Sequence, residues 1–146
     1  MACILGLDVG TRRIGVARAS ATGFRLARPL CTVERSGLKK DVPALAAICR
    51  REAAERLVVG LPYDLEGGEG RSARLARQVG DALAEATGLP VHYQDERYST
   101  VEASARLHQT GHDSRAQRPI IDQAAAAVIL QDWIDHTPPA GADTVV

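Results

Sequence analysis

The chain has 146 residues, 45% of them hydrophobic and 25% charged, with 18 basic and 18 acidic side chains that cancel at neutral pH. That length suits one domain with a buried core, and no apolar run approaches the ~20 residues a membrane helix needs. Aromatic residues make up only 3%, which argues against the base-stacking platforms of single-strand-binding proteins. No signal-peptide pattern precedes the first apolar segment. The three cysteines, Cys3, Cys31 and Cys49, are odd in number and form no CxxC pair, so the expectation is reduced thiols in a cytoplasmic protein. Charge is unevenly spread. Residues 1–40 carry eight Lys/Arg against Asp8 and Glu34, and residues 119–146 carry four Asp and no Lys/Arg. A nucleic-acid partner would therefore be gripped by a local basic face. Sixteen of the eighteen basic residues are arginine, which suits bidentate phosphate contacts, although a GC-rich genome gives the same bias.

The first element is a β-hairpin. Two short apolar runs, Ile4–Val9 and Ile14–Ala17, flank the turn Gly10-Thr11-Arg12-Arg13, and Asp8 falls where the first run ends. A carboxylate beside an apolar strand is costly unless a cation, an arginine or a helix N-terminus pairs with it. Equally, Asp8 could bond the backbone of its own turn. Arg28–Val33 reads as a third strand. Asp41-Val42-Pro43 then opens a helix with Asp41 as N-cap, and Val42, Leu45, Ala46, Cys49 and Ala53 recur at helical spacing.

Leu57–Pro62 is an unalternating apolar run, as expected of a strand buried on both faces. The loop after it holds Gly67, Gly68 and Gly70 before a helix from about Ser72. Such a loop could seat a phosphate on backbone N–H groups, or it could be a plain flexible connection. Leu75, Val79 and Leu83 form that helix's apolar stripe, with Arg77, Asp81 and Glu85 pairing on the solvated side. Val91–Gln94 is a fifth strand running into Asp95-Glu96-Arg97. Ser99 and Glu102 then fit the capping box of a further helix, which Gly111 breaks. His108, His112, Arg115 and Arg118 fill a polar segment. The last helix spans about Ile120–His136, with Ile121, Ala124, Ala125, Val128 and Ile129 facing inward. Its four consecutive alanines permit close approach to a sheet, and Asp122 in its first turn would suit the macrodipole. Residues 138–146 read as a disordered tail after a single domain over 1–137. The order β-β-β-α-β-α-β-α-α predicts an α/β fold: a mixed five-stranded sheet with helices on both faces.

In a three-layer domain of that kind the ends of the first and later central strands lie side by side. Asp8, Asp95 or Glu96, and Asp122 could thus form one carboxylate cluster. Like charges that close stay ionised only with a cation between them. Oxygen-only ligands point to Mg²⁺ or Mn²⁺, and two such ions suit phosphodiester hydrolysis.

Gly6–Ala17, Val59-Gly60-Leu61-Pro62, Asp95–Ala103 and Asp122-Gln123-Ala124-Ala125 together resemble, in order, four blocks of the YqgF/RuvX family of Holliday junction resolvases. The resemblance runs from Cys3 to about Ile134. It implies an RNase H-like fold and a metal-dependent nuclease, for 5′-end processing of pre-16S rRNA, for resolution of four-way DNA junctions, or for both. It also implies Asp8, Glu96 and Asp122 as catalytic metal ligands, with Asp95 as a substitute for Glu96. Arg12, Gly67, Gly68, Ser72, Arg97, Arg115 and Arg118 would then touch substrate phosphates. Symmetric cutting of a junction would call for a homodimer.

Two other readings of the same residues stand beside this one. Asp8-Val9-Gly10-Thr11 also resembles the phosphate turn of actin-like ATPases and sugar kinases, which enclose a nucleotide between two domains where this chain offers one. Alternatively the basic surface could serve a catalytically silent RNA-binding or ribosome-assembly module.

Overall fold

The computed structural model describes residues 2–23, 25–62, 70–95 and 118–137. Five strands, β1 (Cys3–Val9), β2 (Arg13–Ser20), β3 (Arg28–Glu34), β4 (Ala54–Leu61) and β5 (Val91–Asp95), form one sheet in the order β3-β2-β1-β4-β5. β1, β2 and β3 run antiparallel in succession, while β4 and β5 run parallel to β1. Helices α1 (Leu38–Glu52), α2 (Arg71–Thr87) and α3 (Arg118–Asp135) cover the two faces. The mixed five-stranded α/β architecture expected from the sequence is the one observed. The helix expected after Ser99 lies outside the described residues, as do the tail from 138 and most of the Gly-rich loop.

Alternation along the strands divides the core in two. Leu5, Leu7, Ile14, Val16, Leu57 and Val59 pack with Leu45, Cys49, Val79 and Leu83 of α1 and α2. Ile4, Ala17, Ala19 and Val58 point the other way, against Ala126, Leu130 and Trp133 of α3. The second face is built from small residues, so α3 comes in close. A Cβ at Gly6 would stand 2.7 Å from the Cβ of Leu130 and 3.0 Å from the carbonyl of Ala126, distances that van der Waals contact forbids. The alanine run does what its composition suggested: of the expected Ile121, Ala124, Ala125, Val128 and Ile129, Ala125 and Ile129 are buried together with Ala126 and Leu130, and Ile121, Ala124 and Val128 are half-buried beside them. The side-chain amide of Gln123 donates to the Thr32 hydroxyl at 3.0 Å, and the side-chain carbonyl of Gln131 accepts from the Ala27 backbone amide at 2.9 Å, seating the helix along β3.

Several boundaries differ from expectation. β4 starts at Ala54, three residues before the apolar run, because backbone pairing with β1 extends beyond the hydrophobic segment. α1 begins at Leu38 after Gly37, at φ 110°, a value glycine tolerates best. Asp41 is therefore not the N-cap. It lies inside the first turn, only 1% exposed, and reaches back to accept from the Ser36 amide at 2.8 Å and from the Arg35 guanidinium at 2.7 Å. Burial works against its charge, but these donors outweigh it and hold the carboxyl below its ordinary value. Arg35 also donates to the carbonyl of Gly10 at 3.0 Å, and its amide donates to the carbonyl of Arg12 at 2.8 Å. The hairpin turn is thus tied to the start of α1.

On α2, Arg77 also reaches across to β5. Its guanidinium lies 5.0 Å over the Tyr93 ring, and the Tyr93 hydroxyl donates to Asp81 at 2.5 Å. All three cysteines are free thiols, and burial pushes Cys49 up to about 11, so it stays protonated and unreactive. No helix among the described residues is long and apolar enough to cross a membrane.

Candidate active site

Asp8 lies on the penultimate residue of β1, on the same side of the strand as Ile4 and Gly6 and therefore facing α3. Its cross-strand partner is Gly15. A Cβ on Gly15 would run into the carbonyl of Asp122 and stand 2.9 Å from the amide of Gln123. The missing side chain opposite Asp8 is thus what lets the backbone of α3 descend onto β2 at Asp122. One glycine brings together two acids that are 114 positions apart.

The two carboxylates repel each other. Burial first, and the Asp122 charge second, push the Asp8 carboxyl up from 3.8 to about 6. No described residue donates a hydrogen bond to Asp8, and the turn closes instead through the Gly10 amide on the Arg13 carbonyl at 2.9 Å. The private turn contact that the sequence left open is absent among the described residues. Asp122 has a partner: Arg13 Nε stands 2.8 Å from its Oδ2, with the two side chains 19% and 27% exposed. Asp122 sits in the second turn of α3, since that helix starts at Arg118 and its first turn holds no acid. Its neighbour is therefore a guanidinium on β2 rather than the N-terminal dipole.

The sequence missed Arg13, Gly15 and the tie from Arg35 to Asp41. A signal for the first two was present in the hairpin. A turn centred on Thr11 and Arg12 pairs position 8 with 15, and alternation then puts Arg13 on the face of Gly15.

The other expected site residues divide into three groups. Glu96, Arg97, Gly67, Gly68 and Arg115 lie outside the described residues, as does the side chain of Arg118. Arg12 and Ser72 are exposed, Arg12 in the hairpin turn and Ser72 in the first turn of α2. Asp95 ends β5 at the same end of the sheet as Asp8, but it shares the strand face of Val91 and Tyr93, which pack toward α1 and α2. The structure does not bring it to Asp8, so it makes a poor substitute for Glu96. Among the described residues no group of three His, Cys, Asp or Glu could hold a metal. Asp8 and Asp122 supply two carboxylates, with the Arg13 guanidinium on Asp122, and carboxylate oxygens suit a hard divalent cation.

Residues 2–136 match the family model described as RuvX, Holliday junction resolvase. The chain belongs to that family. A relative from Anaeromyxobacter sp. (strain Fw109-5) is 47% identical over 131 residues, covering 90% of this chain and 95% of the relative. One from Thermosynechococcus vestitus is 41% identical, covering 92% and 89%. Both carry the name "Putative pre-16S rRNA nuclease". Among solved structures, Thermus thermophilus RuvC superposes with a TM-score of 0.55 at 18% identity, over 92% of this chain and 96% of that one. RuvC from the same organism in complex with a Holliday junction substrate gives 0.52 at 20% identity, over 93% and 96%. These two likenesses concern the fold, which is RNase H-like. Within this RuvX-family chain the structure pairs the hairpin block with the Val59–Pro62 block as neighbouring strands and brings the distant Asp122 block down onto the hairpin.

Proposed function

We propose that this chain is a divalent-metal-dependent nuclease that hydrolyses phosphodiester bonds in the 5′-end processing of pre-16S rRNA, with residues 1–137 as one nuclease domain. The observation that carries the reading is the pairing of Asp8 with Asp122 across Gly15, with Asp8 raised to about 6 and no described donor on it. A carboxylate pair held in that state is poorly stabilised by the protein alone and well suited to a cation. Asp8 and Asp122 would hold Mg²⁺ or Mn²⁺ together with Glu96. Metal held there would supply Lewis-acid charge neutralisation at the phosphate and a more acidic bound water. The chain's own residues do the rest. Arg13 fixes the Asp122 carboxylate beside Asp8. Arg35 holds the turn that carries Thr11 and Arg12, and exposed Arg12 is placed to meet a phosphate.

The names of the relatives favour ribosomal RNA as substrate over the junction named by the family description. Trimming RNA needs no two-fold dimer, whereas symmetric junction cutting does. An rRNA substrate places the protein in the cytoplasm. The test is cleavage of labelled pre-16S rRNA 5′ leader, unrelated single-stranded RNA and a four-way DNA junction, with Mg²⁺, Mn²⁺ or EDTA, by wild type and Asp8→Asn. The expected result is metal-dependent cutting of the leader that Asp8→Asn abolishes. Cutting that survives in EDTA or in Asp8→Asn refutes the site. Preference for the junction overturns the substrate, and RNA binding without cleavage by either protein favours the silent module.

A further inference from the structure

A cleft of about 750 Å³ opens beside the hairpin turn on the sheet face opposite to the acids, lined by Thr11, Arg35, Arg71, Ser72, Arg74 and Gln78 among others. Its place follows from the topology. The hairpin turn, the start of α1 after β3 and the start of α2 after β4 all fall at the end of the sheet where β1 finishes. α1 and α2 pack on the Leu5 and Leu7 face, while Asp8 and Asp122 lie on the α3 face. The acids and the cleft therefore flank the same turn from its two sides.

We propose that this cleft is a second phosphate-backbone subsite, which takes the stretch of nucleic-acid strand flanking the scissile bond after it crosses the turn over Thr11 and Arg12. This rests on the nuclease reading and adds to it a binding site made by Arg71 and Arg74. No aromatic residue is among the described lining, so the described walls offer no platform for stacking a base. Guanidinium, hydroxyl and amide groups suit phosphate oxygens instead.

The charge is available. Arg71 and Arg74 are exposed, three apart on one helical face, and neither is paired with a described carboxylate. Arg35 is not free to act, since Asp41 neutralises it; its part is to fix the wall. The two helix starts differ in the same sense. Asp41 puts an acid into the first turn of α1 and accepts from the amides of Ser36 and Gly37 just before it, whereas α2 has no acid in its first turn. Anionic oxygens entering the cleft thus meet two guanidinium groups and the start of α2, whose first turn holds no acid.

The test measures binding of labelled single-stranded RNA by the Asp8→Asn protein, with and without Arg71→Ala and Arg74→Ala, across a salt series. Both arginines are exposed, so folding is expected to survive and is checked by circular dichroism. Loss of two phosphate contacts should weaken binding about tenfold and reduce the slope of log affinity against log salt by about 1.4. Arg28→Ala with Arg50→Ala, which removes the same charge at the far end of the sheet, should leave the slope unchanged. Equal weakening by both pairs overturns the subsite, because a diffuse field would then explain it. An unchanged slope without Arg71 and Arg74 overturns the subsite and leaves the nuclease reading standing. No binding of RNA or junction DNA by Asp8→Asn itself defeats both.

Discussion

Replacing Asp8 by Asn should stabilise the metal-free protein, and the gain should depend on pH. The carboxyl is raised from 3.8 to about 6 in the fold, so the native state binds more protons than the unfolded chain between those values. Stability then falls as pH rises through that window and stays low above it. Full ionisation costs the folded state roughly 3 kcal/mol by this reckoning. An asparagine amide there still lacks a described donor and costs about 1 kcal/mol, leaving a net gain of about 2 kcal/mol at pH 8. For a chain of this size that is a rise in Tm of about 5–8 °C. At pH 4.5 most of the wild-type carboxyl is protonated in the fold, the repulsion is largely gone, and the two proteins should melt within about 1 °C of each other. The assay is thermal denaturation of both proteins in EDTA at the two pH values. Added Mg²⁺ should raise the wild-type Tm and leave Asp8→Asn unmoved. A variant that melts at or below wild type at pH 8, or a gain that is the same at pH 4.5, would refute the account of Asp8 as a strained carboxylate awaiting a cation.

Two further outcomes test the frame around the acids. Gly15→Ala puts a Cβ into the backbone of α3 at Asp122 and Gln123, which cannot swivel aside, so stability should fall by about 1–3 kcal/mol and cleavage should be lost as Asp122 is displaced. Gly6→Ala meets Leu130 and Ala126 lower on the same helix and should cost similar stability while keeping measurable cleavage; wild-type cleavage by Gly15→Ala sinks the role given to that glycine. Asp41→Asn should lower stability by about 2 kcal/mol at pH 7. The Asp41 carboxyl is held below 3.8 in the fold, so its contribution is present above that value and is lost as pH falls through the lower folded one. The gap between variant and wild type in urea melts should therefore narrow as pH falls below 3.8, opposite in sign to the Asp8 effect.

Much of this molecule is written locally. Short apolar runs such as Ile14–Ala17, bounded by turn residues, announce strands, and the Gly-Thr-Arg-Arg turn fixes the hairpin register. The alanine run of α3 announces a close helix–sheet contact because it leaves so little side chain in between. The expected layering of helices on the sheet grouped Asp8 and Asp122 with Asp95 or Glu96, and family resemblance then implied Asp8, Glu96 and Asp122. Local pattern failed where a distant partner decided the outcome. Asp41 looks like an N-cap in sequence, yet the arginine six residues earlier and a left-handed Gly37 move the helix start forward and bury the acid. Asp122 looks like a dipole-stabilised first-turn residue, yet its charge is met by Arg13 from another element.

The sequence by itself determined the strands, the helices and the acidic residues, because each depends on neighbours a few positions away. Only the tertiary structure decided that Asp122 comes down beside Asp8, that Arg13 restrains it, that Asp95 turns to the other face, and that Arg71 and Arg74 open onto a cleft behind the same turn. Those relations depend on how closely one helix approaches one sheet. That distance is set by a side chain missing at Gly15, whose effect is visible only once the helix is placed over it.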